Sequence, residues 1–190
     1  MSKTIGVLDL QGGVTEHLLA LKTLGVNAIS VKKEEDFDTL DGIIIPGGES
    51  TAIGRLIQEN ELENRLRSFH KEKKAIFGTC AGLILCSSDE SHTTDDLRLC
   101  FIDMKVERNG FGRQVNSFET SLRFVGIDQE VEAVFIRAPY IQSVGPDVKV
   151  LASINQKIVA AEQENVLVTA YHPELTEDYS VLNYFLNKIR

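Results

Sequence analysis

A cysteine framed by glycines is the feature of the chain with the clearest chemical potential. The string GTCAG (78–82) follows the apolar run AIF (75–77) and precedes another apolar stretch. This is the strand–turn–helix context of a nucleophile elbow, with Cys in place of Ser. Flanking glycines relieve the crowding of such a turn, and the positive end of the following helix favours a thiolate. We therefore predict a nucleophile at Cys80; the alternative is a buried structural cysteine, as we expect for Cys86 and Cys100.

A histidine near the end of the chain is the best candidate for the proton donor that such a nucleophile needs. His172 ends the apolar run VLVTAY (166–171) and is followed by Pro173 and Glu174. Residues i and i+2 of an extended segment face the same side, so Glu174 can orient the imidazole and stabilise its cation. The pattern predicts a Cys80–His172–Glu174 triad, although a lone histidine at a strand end can also be purely structural.

The string PGGES (46–50) predicts a turn whose backbone N–H groups can point at a ligand, because glycine tolerates the required dihedral angles. Together with the N–H of Ala81, which follows the nucleophile, this turn could form an oxyanion hole. The alternative is a plain strand-to-helix turn in which Ser50 or Thr51 caps the helix.

A second Gly-containing segment, RNGFGRQ (108–114), combines a turn signal with arginines. Asn109-Gly110 favours a tight turn. An Arg108 held by that turn could bind a substrate carboxylate through two parallel hydrogen bonds. The alternative is a hairpin tip with solvated arginines.

Alternating strand and helix patterns must position these motifs. In the first half, strands are predicted at 4–10, 27–31, 42–45 and 75–77, and amphipathic helices after Gly13, from Ile53 with a resumption at Leu62, and from Ala81. This alternation predicts an α/β fold of three layers, with a mostly parallel central sheet and helices on both faces. Ligands bind beyond the carboxyl ends of such strands, where QGG (11–13), PGGES and GTCAG should converge.

The second half of the chain is richer in strand patterns. Strands are predicted at 100–106, 117–124, 132–138 and 148–154, followed by two runs with a hairpin turn at Glu164-Asn165, and an amphipathic helix at 178–190. The polar stretch 87–96 is predicted to be an exposed loop. All four prolines lie at the ends of apolar runs and none marks a linker, so residues 1–190 are predicted to form one domain.

The composition narrows the function classes. The net charge of −8 argues against a nucleic-acid binder, and no apolar run is long enough to span a membrane. No signal peptide is recognisable and the three cysteines form no CxxC pair, which predicts free thiols and a cytoplasmic location. The four histidines are far apart, so no metal site or other cofactor is predicted. Three of them, His17, His70 and His92, lack partners in the sequence pattern and are predicted to lie on helix faces or in loops.

Six strings together carry a resemblance to a known family. They are LQGGVTEH (10–17), PGGEST (46–51), GTCAGLI (78–84), VERNGFGRQVNSFE (106–119), FIRAP (135–139) and YHPEL (171–175). With them the chain resembles class I, triad-type glutamine amidotransferases, and in particular the glutaminase subunits of pyridoxal 5′-phosphate synthases. The resemblance runs from residue 5 to the C-terminal helix. It implies a flavodoxin-like fold and the hydrolysis of L-glutamine to L-glutamate and ammonia.

The resemblance also implies roles for single residues and a partner. Cys80 would form a γ-glutamyl thioester, His172 would transfer protons, and Glu174 would orient His172. The glutamine pocket would be formed by Gly47, Gly48, Glu49, Arg108, Ile136 and Arg137, with Gln11 in the pocket or at a partner contact. The oxyanion hole would be formed by Gly48 and Ala81. The ammonia would pass to a separate synthase subunit, a TIM barrel, in a hetero-oligomeric complex without any cofactor in this chain.

Three alternatives stay open at this point. The chain could be the glutaminase subunit of another amidotransferase, although VERNGFGRQ argues against it. It could be a non-catalytic binding module on the same fold, which the intact Cys80, His172 and Glu174 disfavour. It could also be a redox or chaperone-like cysteine protein, which would need neither a His-x-Glu pair nor a carboxylate clamp.

Overall fold

The computed structural model describes residues 3–88, 96–112 and 116–189. His92, most of the predicted loop 87–96 and the end of RNGFGRQ lie outside the described residues. Within the described ranges, no helix has the length and apolar character needed to cross a membrane.

Eleven strands and five α-helices make up the described residues. The strands are β1 Thr4–Leu8, β2 Asn27–Val31, β3 Gly42–Ile45, β4 Ala75–Thr79, β5 Met104–Glu107, β6 Ser117–Leu122, β7 Val131–Ile136, β8 Tyr140–Val144, β9 Lys149–Ile154, β10 Lys157–Gln163 and β11 Val166–Thr169. The helices are α1 Val14–Thr23, α2 Ser50–Glu59, α3 Glu63–Lys71, α4 Ala81–Cys86 and α5 Ser180–Asn187, with short 3-10 helices at Glu34–Phe37 and Pro173–Leu175.

A central sheet holds nine of these strands. Five of them run parallel in the order β2-β1-β3-β4-β11, which is the strand order of flavodoxin-like folds. Antiparallel strands β10, β8 and β5 extend the sheet beyond β11, and β9 pairs with β10. The remaining two strands, β6 and β7, form a separate hairpin. Every residue of β3 is buried, as expected for a parallel strand covered on both faces.

Helices cover both faces of the sheet. Two neighbouring residues of β4, Phe77 and Gly78, contact helices on opposite faces. The Phe77 ring packs 5.3 Å, centroid to centroid, from Phe185 of α5. The next residue, Gly78, points to the opposite face because strand residues alternate. There it meets α4, since a Cβ on Gly78 would lie 2.6 Å from the carbonyl oxygen of Gly82. The predicted three-layer α/β architecture is therefore confirmed.

Four details differ from the sequence-based expectations. Strand β8 was not predicted: it buries only Ile141, so it has no apolar periodicity to detect. The predicted strand 100–106 begins later, at Met104. The second helix pattern is divided into α2 and α3 at Glu61, whose φ is 57°. The hairpin-tip alternative for Asn109-Gly110 is wrong, because β5 pairs with β8 and β6 with β7. The hairpin turn at Glu164-Asn165 is confirmed between β10 and β11.

Gly82→Ala is expected to destabilise the protein by about 3 kcal/mol, the upper end of the usual cost of overpacking. A Cβ at Gly82 would lie 2.1 Å from the carbonyl oxygen of Ile45, which is backbone and cannot move aside cheaply. The free energy of unfolding is to be measured by urea titration.

Gly25→Ala is the matched control. Gly25 has a φ of 71°, but no atom lies within 4 Å of a Cβ placed there. Only the backbone cost of about 1 kcal/mol is expected at this position. Equal losses of stability in the two variants would contradict the steric explanation for Gly82.

Candidate active site

The carboxyl ends of four neighbouring parallel strands carry the predicted site. Gln11, Gly12 and Gly13 follow β1, the Gly47-Gly48 turn follows β3, and Cys80 follows β4. His172 comes three residues after β11 ends. Because these strands are adjacent and parallel, their carboxyl ends meet at one edge of the sheet, and the predicted convergence is confirmed.

Cys80 sits in a strained turn between β4 and α4. Its φ is 50° and its ψ is −101°, a conformation that costs a non-glycine residue about 1–3 kcal/mol. Its backbone N–H donates to the carbonyl oxygen of Thr169 at 2.8 Å, which ties the turn to β11. Its residue surface is only 8% exposed. This is the geometry expected of a nucleophile elbow.

His172 and Glu174 are directly paired. The distance from His172 Nδ1 to Glu174 Oε1 is 2.7 Å, and the Glu174 side chain is 2% exposed. The pairing is confirmed but the predicted extended backbone is wrong, because Glu174 lies in the short 3-10 helix Pro173–Leu175. The His172 backbone N–H donates to the carbonyl oxygen of Val134, so β7 also holds this segment.

The titration behaviour of the pair favours a charged imidazole. Burial disfavours the imidazolium, but hydrogen bonds with Cys80 and Glu174 and their charges raise the pKa of His172 to about 10. Burial likewise opposes ionisation of Glu174, but His17 and His172 hold the pKa of that carboxyl below its usual range. An imidazolium beside a carboxylate is the arrangement that stabilises a neighbouring thiolate.

A cavity of about 340 Å³ opens at this edge of the sheet. Its volume is within the usual range for small-molecule sites. Among the residues that line it are seven of the predicted site residues: Gly47, Gly48, Cys80, Ile136, Arg137, His172 and Glu174. The other lining residues are Gly13, Glu16 and Leu175. At the mouth, Ile136 and Leu175 are 40% and 44% exposed.

The Gly47-Gly48 turn is held by the segment after β1. Gly13 N–H donates to the Gly47 carbonyl oxygen at 3.0 Å, and Glu49 N–H donates to Gln11 Oε1 at 2.8 Å. Gln11 and Glu49 thus border the turn without lining the cavity. The structure places Gly48 at the cavity and Ala81 at the start of α4, directly after Cys80. Their role as an oxyanion hole remains a prediction.

Glu49, which was predicted to belong to the glutamine pocket, has a structural role at the start of α2. Its carboxylate accepts hydrogen bonds from the backbone N–H groups of Thr51 and Ala52, at 3.1 and 2.7 Å. Glu49 therefore caps α2, and the alternative in which Ser50 or Thr51 caps the helix is wrong. A carboxylate here also complements the positive end of the α2 dipole.

Arg108 lies in the turn after β5 and is not among the residues that line the cavity. Its Nη2 donates to Asp96 Oδ2 at 2.5 Å, and Asp96 in turn accepts from Thr51 Oγ1 at 3.0 Å. The Nε of Arg108 is buried and has no hydrogen-bond partner among the described residues. The Lys157 ammonium fixes the turn by donating to the Gly110 carbonyl oxygen. Asp96 therefore orients the guanidinium and leaves one buried donor unused.

His17 has no recognisable partner in the sequence pattern, but the structure places it against the triad. Its side chain is buried on α1, with Nε2 3.1 Å from Thr79 Oγ1 and 3.5 Å from Glu174 Oε1. One sequence signal could have indicated that His17 lies near the site: it is one turn into a helix that begins beyond the carboxyl end of β1. The missing information was which segment faces that helix.

The other titratable groups of the described part of the chain suggest no metal site. Within it, no cluster of three or more His, Cys, Asp or Glu side chains is arranged to hold a metal ion. His70 lies away from the cavity and stacks on Phe101, with the ring centroids 4.4 Å apart.

Comparison with solved structures first defines the class. A crystal structure of a glutamine amidotransferase superposes with a TM-score of 0.93 and 44% sequence identity, covering 97% of this chain and 98% of that one. The structure of PurLQS from Thermotoga maritima shares the fold, with a TM-score of 0.72 at 15% identity over the full length of both chains. Fold and site geometry thus define a class I glutamine amidotransferase-like protein.

Sequence comparison then defines the family. The model of the SNO glutamine amidotransferase family matches residues 7–190, and the chain belongs to this family. Among its relatives is "Pyridoxal 5′-phosphate synthase subunit PdxT" of Oceanobacillus iheyensis, 54% identical over 97% of this chain and 92% of that protein. The protein of the same name from Niallia circulans is 49% identical over 98% of this chain and 97% of the relative.

Proposed function

We propose that the chain is the glutaminase subunit of a pyridoxal 5′-phosphate synthase. It hydrolyses L-glutamine to L-glutamate and ammonia and passes the ammonia to a separate synthase subunit. The single observation that carries the chemistry is the placement of Cys80, in an elbow, beside a buried His172–Glu174 pair. The names of relatives at 49% and 54% identity support the biosynthetic context.

The reaction follows from the arrangement of these three side chains. The Cys80 thiolate attacks the side-chain amide carbon of glutamine and forms a tetrahedral oxyanion. The backbone N–H groups of Gly48 and Ala81 stabilise that oxyanion. The imidazolium of His172 gives its proton to the leaving nitrogen, so ammonia departs and a γ-glutamyl thioester remains. Neutral His172 then takes a proton from water, which attacks the thioester. Glutamate leaves, and the Cys80 thiolate and the His172 imidazolium are regenerated.

Substrate orientation is assigned to the residues around the cavity. Gly47, Gly48, Ile136 and Arg137 line it and border the glutamine side chain, and Glu49 and Gln11 hold the Gly47-Gly48 turn. Arg108 is assigned to the α-carboxylate of glutamine. This assignment follows from the resemblance, because Arg108 does not line the cavity and its Nη2 donates to Asp96.

Arg108→Ala is expected to raise the KM for glutamine about 10- to 100-fold and to change kcat by less than about threefold. A hydrogen bond to a charged group contributes about 1.5–3 kcal/mol, which corresponds to this change in affinity. Steady-state glutamate release measures it. Arg55→Ala is the control, because Arg55 is exposed on α2 and, among the described residues, its ion pair is with Glu59 of the same helix. A fall in kcat at unchanged KM would contradict the assignment.

The partner we propose is a TIM-barrel synthase subunit, bound in a hetero-oligomeric complex. The location we propose is the cytoplasm, which the free thiols of Cys80, Cys86 and Cys100 support. No cofactor is assigned to this chain.

The testing experiment is glutamine-dependent glutamate production by the full chain, alone and with a pyridoxal phosphate synthase subunit added. Stimulation by the synthase subunit would support both the chemistry and the partner. Activity that the synthase subunit does not change would support the glutaminase reaction but contradict the proposed partner. No activity in either case would favour the non-catalytic binding module.

A further inference from the structure

His17 is a second histidine close to the triad. It lies next to Glu174 and so ends the series of neighbouring side chains Cys80–His172–Glu174–His17. Its surface is 1% exposed. It comes from α1, whereas Glu174 belongs to the 3-10 helix after β11 and Thr79 to the end of β4. Three segments that are distant in sequence therefore meet at one imidazole.

The surroundings of His17 determine its protonation state. Burial lowers the pKa of His17 below its ordinary value, although the Glu174 carboxylate opposes this effect. The ring is therefore neutral near neutral pH and carries one N–H. The other charged or titratable groups that face it are Glu16 on α1 and His172. Cys80 and Arg137 are among the residues that line the adjoining cavity.

The positions of two oxygens select the tautomer. Nε2 of His17 lies 3.1 Å from Thr79 Oγ1 and 3.5 Å from Glu174 Oε1, whereas Nδ1 has no hydrogen-bond partner among the described residues. A lone pair on Nε2 would face the carboxylate and repel it. A proton on Nε2 points toward both oxygens and is attracted by them. The Nε2–H tautomer is therefore the stable one.

The contacts of the Glu174 carboxylate show why this donor matters. Oε1 accepts from His172 at 2.7 Å and lies 3.5 Å from His17 Nε2, while Oε2 has no hydrogen-bond partner among the described residues. A buried carboxylate with few partners is poorly held and costly to ionise. The polar Nε2–H group of His17 lies 3.5 Å from Oε1, and its hydrogen bond with Thr79, which is fully buried next to Cys80, fixes the ring of His17.

We infer that His17 is a positioning residue for the proposed glutaminase reaction: a neutral imidazole that directs Nε2–H at Glu174 and Thr79 and so keeps Glu174 aimed at His172. The inference rests on the proposed function. His17 is not among the residues that line the cavity, and it acts through the Glu174 carboxylate. The motif QGGVTEH (11–17) thus has two roles: it places His17 next to Glu174, and it holds the Gly47-Gly48 turn through Gln11 and Gly13.

The tautomer is measured without any activity, by ¹⁵N NMR of the histidine rings in the wild-type chain. The expected result is a neutral Nε2–H imidazole for His17 between about pH 7 and pH 9, assigned by its absence from the spectrum of His17→Gln. An Nδ1–H tautomer, or an imidazolium in this range, would overturn the inference whatever the enzyme does.

The catalytic consequence is measured with the full chain in the presence of the synthase subunit. His17→Leu removes the donor and is expected to lower kcat about 10- to 100-fold at a KM within about threefold of wild type. It is also expected to move the high-pH limb of kcat/KM to lower pH, because Glu174 then stabilises the His172 cation less well. His17→Gln places an amide N–H near the position of Nε2 and is expected to retain kcat within about threefold.

Controls and outcomes separate positioning from structure. His70→Leu removes a histidine remote from the cavity and is expected to leave kcat unchanged. Equal activity of His17→Leu and His17→Gln, whether both are normal or both impaired, would overturn the donor role. If thermal unfolding shows that the His17→Leu variant is not folded, the comparison of Thr79→Val with Thr79→Ser tests the same hydrogen bond to His17. An inactive wild type would overturn the proposed function itself, and the catalytic role of His17 with it.

Discussion

Replacing Cys80 with alanine is expected to lower glutamine hydrolysis by about 10⁴-fold or more, since removal of the nucleophile ends covalent catalysis. The fold is expected to survive. The substitution removes one sulfur atom, and the glycines that shape the turn remain. Glutamate release by the chain with its synthase subunit measures the effect. Binding of the synthase subunit is expected to be unchanged, and this separates lost chemistry from lost assembly.

The other cysteines provide the controls for this experiment. Cys86 is fully buried and burial raises the pKa of its thiol to about 12, so it is unreactive near neutral pH. Cys100 is exposed, so the expectation of a buried cysteine at this position is wrong, and Cys100→Ser removes it as a competing target for an alkylating glutamine analogue. Cys86→Ala and Cys100→Ser should retain turnover. Normal turnover in Cys80→Ala would disprove the mechanism, and alkylation that glutamine does not prevent would favour the redox alternative.

Glu174→Gln is expected to lower kcat by about 10²- to 10⁴-fold, with a smaller change in KM. The amide keeps the size of the side chain but loses the charge that orients the imidazole and stabilises its cation through the 2.7 Å contact. Steady-state kinetics at saturating glutamine measure the effect on kcat. Glu177→Gln is the control, since Glu177 is exposed three residues further on.

The pH dependence of the same variant gives a second, independent readout. With Glu174 ionised, the pKa of His172 is about 10, so the imidazolium persists up to that pH and is lost above it. Without the carboxylate, burial is opposed only by Cys80, and the pKa of His172 falls. The high-pH limb of kcat/KM is expected to move down by about 1–3 pH units. An unmoved limb would show that Glu174 does not control the charge of His172.

Local patterns were sufficient to predict most of the parallel half of the fold. Periodicity located β2 and β3 at their observed bounds, and the glycines around Cys80 predicted a turn whose steric reason the structure confirms at Gly78 and Gly82. The resemblance implied a flavodoxin-like fold, and the observed order of the five parallel strands agrees with it. Residues close in sequence share one local geometry, so their chemistry is readable without the rest of the chain.

The pairing of distant segments was decided only by the tertiary structure. It placed Asp96 on Arg108, made Glu49 the cap of α2, and paired β5 with β8, for which Tyr140–Val144 offers no apolar periodicity. The sequence by itself determined the triad types and the turns that carry them. Only the folded sheet brought His17 to Glu174, because that contact depends on which strand ends lie side by side, and no local pattern encodes this order.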